Sequence, residues 1–174
     1  MLKEDINTKG ANMRCKECGQ VYMETTGDYH FKSSGLDNAY IKDARLIKCG
    51  CGVGLKIKSM VSVLDELGNA VINKPGPLSG QEIRYLRKNA GLSAREFARM
   101  LEVDHTTLSK WENGKAPGRP NDLLIRLVYS AWKGYEHPKR IFDIFEKVRK
   151  QRKRKIAIKL IPAAREGFEV EYAV

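Results

Sequence analysis

The chain has 174 residues, of which 42% are hydrophobic and 30% are charged, and its formal net charge is +11. This length suits one domain of ordinary size or two small ones. No stretch approaches the roughly eighteen apolar residues that a membrane span needs. The N-terminal residues contain no apolar h-region, so no secretory signal is predicted and we expect a cytoplasmic protein.

The excess of positive charge is concentrated in one segment. Residues 1–75 contain 11 lysines and arginines against 9 acidic residues, whereas residues 76–174 contain 21 against 12. Seven of those basic residues lie in the run KVRKQRKRK, residues 147–155, which contains no acid. Such a run is suited to phosphate contacts and counterion release on nucleic acid. A solvated helix end is the alternative, and the sequence leaves both open.

Composition divides the chain into zones. After an N-terminal extension (1–12), residues 13–64 hold all four cysteines and several short β-leaning runs. Residues 65–78 are rich in Gly, Pro and Asn, which predicts a turn and a linker. Residues 79–150 have a helical pattern, and 151–174 form a basic arm with a weakly alternating tail, either a small hairpin or an unfolded arm. The predicted fold class is α+β: a small β-rich four-cysteine domain, a five-helix bundle and a basic C-terminal extension.

The four cysteines form two close pairs, Cys15-x2-Cys18 and Cys49-x-Cys51, separated by thirty residues. Both pairs have neighbouring glycines, which let a tight turn point its backbone amides at thiolate sulfurs. In a chain expected to be cytoplasmic, two such pairs favour a zinc site over disulfides. The C-x-C spacing is less common than C-x2-C, and His30, between the pairs, is an alternative ligand.

The predicted zinc site is structural. Four thiolates complete a tetrahedral coordination shell and leave no open position for a reacting group. A zone this short could not readily fold around an apolar core alone, so we expect folding to be coupled to the binding of one Zn²⁺.

Five helices are predicted after the linker. The first two begin with capping boxes, formed by Ser79 with Glu82 and by Ser93 with Glu96. Asp104 is predicted to cap the third, and the fourth and fifth each begin near a proline. Apolar residues recur at helical spacing in all five. They are Ile83, Leu86 and Ala90; Phe97 and Leu101; Leu108 and Trp111; Leu124, Leu127, Val128 and Ala131; and Ile141, Phe142, Phe145 and Val148.

The second and third of these helices are separated only by EVD, which is the spacing of a helix-turn-helix. The stretch DHTTLSKWENG, residues 104–114, has short polar side chains at its N-terminal end and no acid on the face opposite Leu108 and Trp111. An ordinary solvated helix would more often carry Glu–Lys pairs. This face suits the major groove of DNA. For Thr107 and Ser109, a plain helix surface is the alternative.

The stretch LSGQEIRYLRKNAGLSAREFARMLEVDHTTLSKWENGKAPGRP resembles the DNA-binding domain of the XRE, or lambda-repressor-like, family. With the motifs MRCKECG and CGCG added, residues 13–150 resemble the MqsA-type antitoxins and relatives in which a YgiT-type zinc finger precedes an XRE domain. The resemblance implies a bacterial or phage regulator, associated with the nucleoid, that works as a homodimer. It places the base-reading residues at His105, Thr106 and Lys110, with helix start as the alternative role of His105.

The same resemblance implies contacts with the DNA backbone and an internal ion pair. The backbone contacts fall on Arg95, Thr107, Ser109, Asn113, Lys115 and Arg119. The ion pair falls on Arg87 and Glu112 and would fix the first XRE helix against the third. Many relatives carry a Gln at the position of Ala94, so here the neighbouring Arg95 is expected to replace that phosphate contact.

The leading functional hypothesis is a sequence-specific, dimeric repressor that binds a pseudo-palindromic operator. The alternative is an antitoxin, whose zinc domain binds and neutralises a toxin while the helix-turn-helix autorepresses their operon. Residues 13–60 show no obvious toxin-binding motif. The sequence has no G-x-x-x-x-G-K-[ST] or H-E-x-x-H motif and only three histidines, so an enzyme is not expected.

Overall fold

A computed structural model describes residues 14–135, 143, 146, 156–163 and 167–173 of the chain. Within these residues the fold is α+β, as predicted, with five strands and, up to residue 135, five α-helices. A three-residue 3-10 turn, Lys32–Ser34, follows the first strand.

The strands form one sheet. They are β1 (Met23–His30), β2 (Ala39–Cys49), β3 (Gly52–Leu55), β4 (Ala157–Pro162) and β5 (Phe168–Ala173). The order across the sheet is β1-β2-β4-β5, and β3 pairs with the C-terminal end of β2. All pairings are antiparallel except that of β2 with β4. An extra residue in β2 near Asp43, which has a φ of 47°, shifts the register with β1.

The C-terminal tail is a hairpin that completes this sheet. Ile158 and Leu160 alternate with outward-facing residues of β4 and are buried on the core side of the sheet. Residues 13–64 therefore do not contain the whole sheet. Of the two forms predicted for the tail, a small hairpin or an unfolded arm, the described residues 157–162 and 168–173 form the paired strands of the hairpin, and the apolar face of β4 is buried beside β2.

The predicted linker, residues 65–78, is largely helical, and this prediction is wrong. Helix α1 spans Met60–Asn73, and the Ser59 side chain caps its first turn. Gly68 contributed to the turn prediction, but it lies inside the helix. A Cβ at this position would lie 2.0 Å from the hydroxyl oxygen of Tyr129, so the glycine makes room for a tyrosine of another helix.

Four further helices lie close to their predicted positions. They are α2 (Gly80–Asn89), α3 (Ala94–Met100), α4 (His105–Glu112) and α5 (Arg119–Trp132). Both predicted capping boxes are formed, at Ser79 and Ser93. Asp104 is the N-cap residue of α4 by its backbone, but its side chain makes no capping hydrogen bond.

Three predicted features lie outside the described residues. They are the N-terminal extension 1–12, most of the predicted fifth helix, and the basic run 147–155. Asp143 and Glu146 of that fifth helix are described, and both are helical. None of the described helices is long and apolar enough to cross a membrane.

A network of buried polar groups, here called the junction, connects the sheet with α1, α2 and α5. Its members are Asn38, Lys74, Glu82, Asp122 and Arg126. Glu82 is fully buried, accepts a hydrogen bond from Asn38 (3.1 Å) and pairs with Lys74 (3.0 Å). Asn38 also donates to the carbonyl of Ile156 (2.8 Å), just before β4. The Glu82 carboxylate, with Asn38, thus links the start of α2 to the end of α1 and to the segments just before β2 and β4.

Arg126 fixes the Pro- and Gly-rich segment between α1 and α2. Its side chain is fully buried, and its Nε donates to Asp122 Oδ1 (2.7 Å). The other guanidinium nitrogens donate to the carbonyls of Ile72, Lys74 and Gly76 at 2.7, 2.8 and 2.6 Å. A buried charge is tolerated where its hydrogen bonds are complete. Because the three carbonyl acceptors belong to the segment between α1 and α2, the same hydrogen bonds hold that segment in one conformation.

Candidate nucleic-acid interface and metal centre

Helices α3 and α4 form a helix-turn-helix. Residues 101–104 connect them, and Glu102 has a left-handed φ of 52° that reverses the chain within the turn. The inner faces are closed by side chains that are all buried. These side chains are Phe97, Leu101, Leu108 and Trp111.

The outer face of α4 points to solvent. His105, Thr106, Ser109 and Lys110 are exposed, and Thr107 is half-buried. The helix has eight residues, which corresponds to about 12 Å at 1.5 Å per residue. The major groove of B-DNA is about 12 Å wide, so a helix of this length can span the groove.

The remaining predicted backbone-contact residues are also on the surface. Arg95 lies in the first turn of α3, Lys115 follows α4, and Arg119 begins α5. Asn113, at the C-cap of α4, is exposed as well. The arrangement surrounds α4 with cationic and amide side chains, which are the groups that bind DNA phosphates.

The structure brings Arg87 and Glu112 together. Arg87 Nε lies 2.6 Å from Glu112 Oε1, and Nη2 lies 3.0 Å from Oε2, which is a two-point pairing. The hydrogen bond with Glu112 raises the pKa of Arg87. Because Arg87 belongs to α2 and Glu112 ends α4, the pair fixes α4 against α2.

Arg84 was not predicted as a site residue, yet it contacts the same end of α4. Its Nη2 donates to Asn113 Oδ1 (2.9 Å) and to the Glu112 carbonyl (3.3 Å), and its Nε lies 3.3 Å from Glu112 Oε2. Asn113 Nδ2 in turn donates to the carbonyl of Ser109 (2.9 Å). The signal in the sequence was the spacing of Arg84 and Arg87, since residues three apart share one helix face.

The start of α2 also touches the end of α4. A Cβ on Gly80 would lie 2.6 Å from the carbonyl oxygen of Trp111 and 2.7 Å from that of Glu112. Only glycine allows this approach. Because Gly80 is two residues from Glu82, the first turn of α2 connects the junction directly to the C-terminal end of α4.

The four cysteines come together at the C-terminal end of β2, the end away from the junction. The sulfurs of Cys15, Cys18, Cys49 and Cys51 all lie within 4.8 Å of one another, and none forms a disulfide. Cys15 Sγ is 3.5 Å from Cys49 Sγ and 3.6 Å from Cys51 Sγ. Tetrahedral zinc with Zn–S bonds of about 2.3 Å requires sulfurs about 3.8 Å apart. These two spacings are within about 0.3 Å of that value, whereas Cys49 Sγ and Cys51 Sγ lie 2.8 Å apart and would have to separate by about 1 Å. The donor set fits a tetrahedral metal ion.

A tight turn delivers the first pair of ligands. The amide of Gly19 donates to the carbonyl of Cys15 (2.8 Å), and Gly19 has the positive φ of 70° that this turn requires. Hydrogen bonds from the backbone of Cys18 and Glu17 lower the pKa of the Cys15 thiol to about 6. Hydrogen bonding to the other cysteines, Cys49 first, raises the pKa of Cys51.

His30 is not part of this cluster. Its Nε2 lies 3.0 Å from the carbonyl oxygen of Asp37, and its ring stacks on Tyr40 with 4.5 Å between centroids. The alternative in which His30 is a ligand is therefore wrong, because the side chain packs on β2 instead.

A family model described as Helix-turn-helix matches residues 83–122, from α2 to the first turn of α5. No curated protein and no solved structure matches the chain. The match and the packing of α3 on α4 define the class of this region: an XRE-type helix-turn-helix, which is a DNA-binding domain of transcription regulators. Outside the matched residues, the chain also has a four-cysteine cluster at the end of the β-sheet, and this cluster is suited to a metal ion.

Proposed function

We propose that the protein is a sequence-specific transcriptional repressor that binds DNA as a homodimer, with α4 as its recognition helix. The observation that carries this proposal is the exposed, acid-free face of α4 on a helix-turn-helix. His105, Thr106 and Lys110 contact base edges. Thr106 bonds a base or touches a thymine methyl, and Lys110 reaches guanine O6 and N7. The proposal assigns the chain no catalytic step.

Phosphate contacts position the domain on the duplex. We assign them to the surface residues around α4. These are Arg95, Thr107, Ser109, Asn113, Lys115 and Arg119. They contribute affinity that falls with added salt, whereas the three base-reading residues set the preferred sequence.

Dimerisation would place two copies of α4 in successive major grooves, about 34–36 Å apart, so the operator is a pseudo-palindrome. Occupancy of such a site is sufficient for repression and requires no further activity. This role places the protein at the nucleoid, in the cytoplasm of a bacterial or phage-infected cell.

The four cysteines hold one structural Zn²⁺ in this proposal. The ion ties the turn at residues 14–21 to the β2–β3 hairpin and adds free energy to local folding. Four thiolates leave the ion no open position, so its role is to hold the chain.

The proposal is tested by an unbiased selection of duplex DNA with zinc-loaded protein, repeated with Lys110→Ala. The matched control is Lys56→Ala, which removes an exposed lysine just after β3, away from α4. We expect wild type and control to enrich the same inverted repeat. Lys110→Ala should lose preference at one position of each half-site, equivalent to about 1–3 kcal/mol for each base contact. Unselective binding by all three proteins would contradict the proposal and assign binding to the basic run.

A second candidate function is that of an antitoxin, and one feature favours it. Val21, Met23 and Val53 are 50%, 65% and 47% exposed beside the cysteines. Met23 and Val53 both lie opposite Lys48 of β2, from its two sides, so they belong to one face of the sheet. Apolar side chains that are exposed together suit contact with a protein partner.

Growth of cells co-expressing the chain with the product of the adjacent gene tests this candidate. If that product is a toxin, wild type and Lys110→Ala should both restore growth, whereas Met23→Lys with Val53→Lys should not. The double variant should still bind the selected operator. An adjacent product that does not affect growth, or rescue by the double variant, would leave the lone repressor as the proposal.

A further inference from the structure

We infer that Arg84 is a further phosphate-contacting residue of the DNA interface, held in position by Asn113 at the C-terminal end of the recognition helix. This inference rests on the proposed function, since it adds a contact to the same DNA complex. It arises from three features of the described structure: an unequal division of charge around Glu112, the hydrogen bonds of the guanidinium, and the place of Arg84 at the end of α4.

The charge around Glu112 is not balanced. Glu112 is one carboxylate with two guanidinium partners, and Arg87 holds both of its oxygens at 2.6 and 3.0 Å. The single bond from Arg84 to this carboxylate is longer, at 3.3 Å. The Arg87 side chain is 13% exposed, whereas that of Arg84 is 42% exposed. One positive charge therefore remains at the surface, on Arg84.

The hydrogen bonds of Arg84 fix its plane and leave one side open. Nε and Nη2 make all of its bonds to Glu112 and Asn113, and Nη1 makes none within the part of the chain that the structure describes. The planar fork of arginine suits phosphate oxygens, and a guanidinium already held in place loses less side-chain entropy on binding. Asn113 Oδ1, at 2.9 Å, is the acceptor that holds it.

The position of Arg84 fits the edge of the groove. If the N-terminal residues of α4 contact bases, its C-terminal end lies about 12 Å away, close to the sugar-phosphate backbone. The carbonyl end of a helix carries partial negative charge, which disfavours a nearby phosphate. Arg84 donates to the last carbonyl of α4 and so offsets that charge where a phosphate would approach.

A purely structural role for Arg84 is the competing explanation, and the salt dependence of DNA binding separates the two. The test variant is Arg84→Gln. The matched control is Lys56→Gln, because Lys56 also pairs with a glutamate, Glu24, and is 41% exposed. Both variants remove one positive charge. Affinity for the selected operator is measured between about 50 and 200 mM salt, and base preference is measured by repeating the selection.

We expect Arg84→Gln to reduce the slope of log K against log salt by about 0.9, the value for one lost phosphate contact. The affinity ratio between the two salt concentrations then shrinks by about 3.5-fold. Base preference and the Lys56→Gln slope should remain as in wild type. An unchanged slope for folded Arg84→Gln would overturn the inference, and so would a changed base preference with the slope intact.

Arg84→Lys keeps the test decisive if the glutamine variant does not fold. The lysine variant retains the charge, so its slope should match wild type, and a slope reduced by one contact would contradict the inference. Where Arg84→Gln does fold, a scan of the operator with single methylphosphonates should also reveal one phosphate whose neutralisation weakens binding by wild type but not by Arg84→Gln. Finding no such phosphate would overturn the inference. Failure of wild type to bind any selected duplex would instead remove the proposed function itself.

Discussion

The two ends of strand β2 are held by different kinds of interaction. At Ala39 the strand lies beside β4 and the junction, where the Lys74 and Glu82 side chains are 4% and 1% exposed. At Cys49 it runs into the cysteine tip, defined as residues 14–21 and 49–52. Every residue of that tip is exposed or half-buried. Apolar burial and satisfied polar groups support the first end, and sulfur ligands support the second.

The difference between the two ends shows how far the apolar core extends along β2. At its Ala39 end β2 pairs with β4, and α1 packs on β4 and β5, so removal of water from apolar surface stabilises this end. The tip has no such cover among the described residues, and a metal ion would supply there the free energy that burial does not. Each end should therefore respond to a different perturbation.

Removal of the C-terminal hairpin should have the largest effect. A chain ending at residue 155 lacks Ile158 and Leu160, which are 0% and 1% exposed. Burial of two such side chains contributes about 3–6 kcal/mol, which is comparable with the whole stability of a domain. We expect the sheet to unfold, as shown by far-UV circular dichroism and urea titration.

The control for this truncation is Lys159→Ala, which changes the outward-facing neighbour of the same two residues. It should leave the unfolding midpoint nearly unchanged. A truncated chain that unfolds as cooperatively as wild type would mean that β4 and β5 contribute little to the core.

Glu82→Ala should have the next largest effect, because it leaves Lys74 buried without its partner. Breaking a buried ion pair on one side costs about 3–5 kcal/mol. Glu96→Ala is the matched control, since Glu96 occupies the same capping-box position of α3 and its pair with Ser93 is on the surface. Urea unfolding of both variants measures the difference, and equal losses would contradict the distinction between them.

Metal removal should act on the tip alone. With a chelator present, we expect amide exchange in residues 14–21 and 49–55 to accelerate by at least about tenfold, because few apolar contacts protect this region. Exchange in α2 to α5 should change little. Hydrogen-exchange mass spectrometry measures both in one sample. Equal loss of protection in α4 would show that the two ends are not independent.

The features that the sequence predicted correctly are those encoded by nearby residues. The capping boxes at Ser79 and Ser93 depend on a partner three positions away, and each cysteine pair is contained in one turn. The helix-turn-helix follows from the same local signals, as its length and inner face are set by α3 and α4. Local physics was sufficient for these elements.

The features that were missed depend on residues far along the chain. The small residue at Gly68 is explained by Tyr129, and the burial of Glu82 is explained in part by Asn38, which is 44 positions away. The pairing of β4 with β2 brings together segments separated by well over one hundred residues. From the sequence alone, a glycine in a stretch of turn-like composition indicates a linker. That Gly68 lies in a helix becomes understandable only once its contact with Tyr129 is known. The prediction of residues 65–78 failed for this reason.

The smallest effect is expected at an exposed Lys–Glu pair near the tip, which we compare with the buried Lys–Glu pair of the junction. Lys56 and Glu24, near the tip, are 41% and 43% exposed, whereas the Lys74–Glu82 pair is buried. Exposed pairs typically contribute about 0.2–1 kcal/mol and are screened by salt. Glu24→Gln should therefore lower the free energy of unfolding by less than about 1 kcal/mol, and the loss should disappear near 1 M salt.

Glu82→Gln is the matched substitution at the buried pair, and its loss should persist in high salt because no ions reach the junction. Urea unfolding of the two variants at low and high salt measures both effects. A loss at Glu24→Gln that is as large as that at Glu82→Gln, and equally insensitive to salt, would mean that the tip is supported by a buried ion pair next to it, between Lys56 and Glu24. Its stability would then depend on burial as well as on metal, and the contrast between the two ends of β2 would not hold.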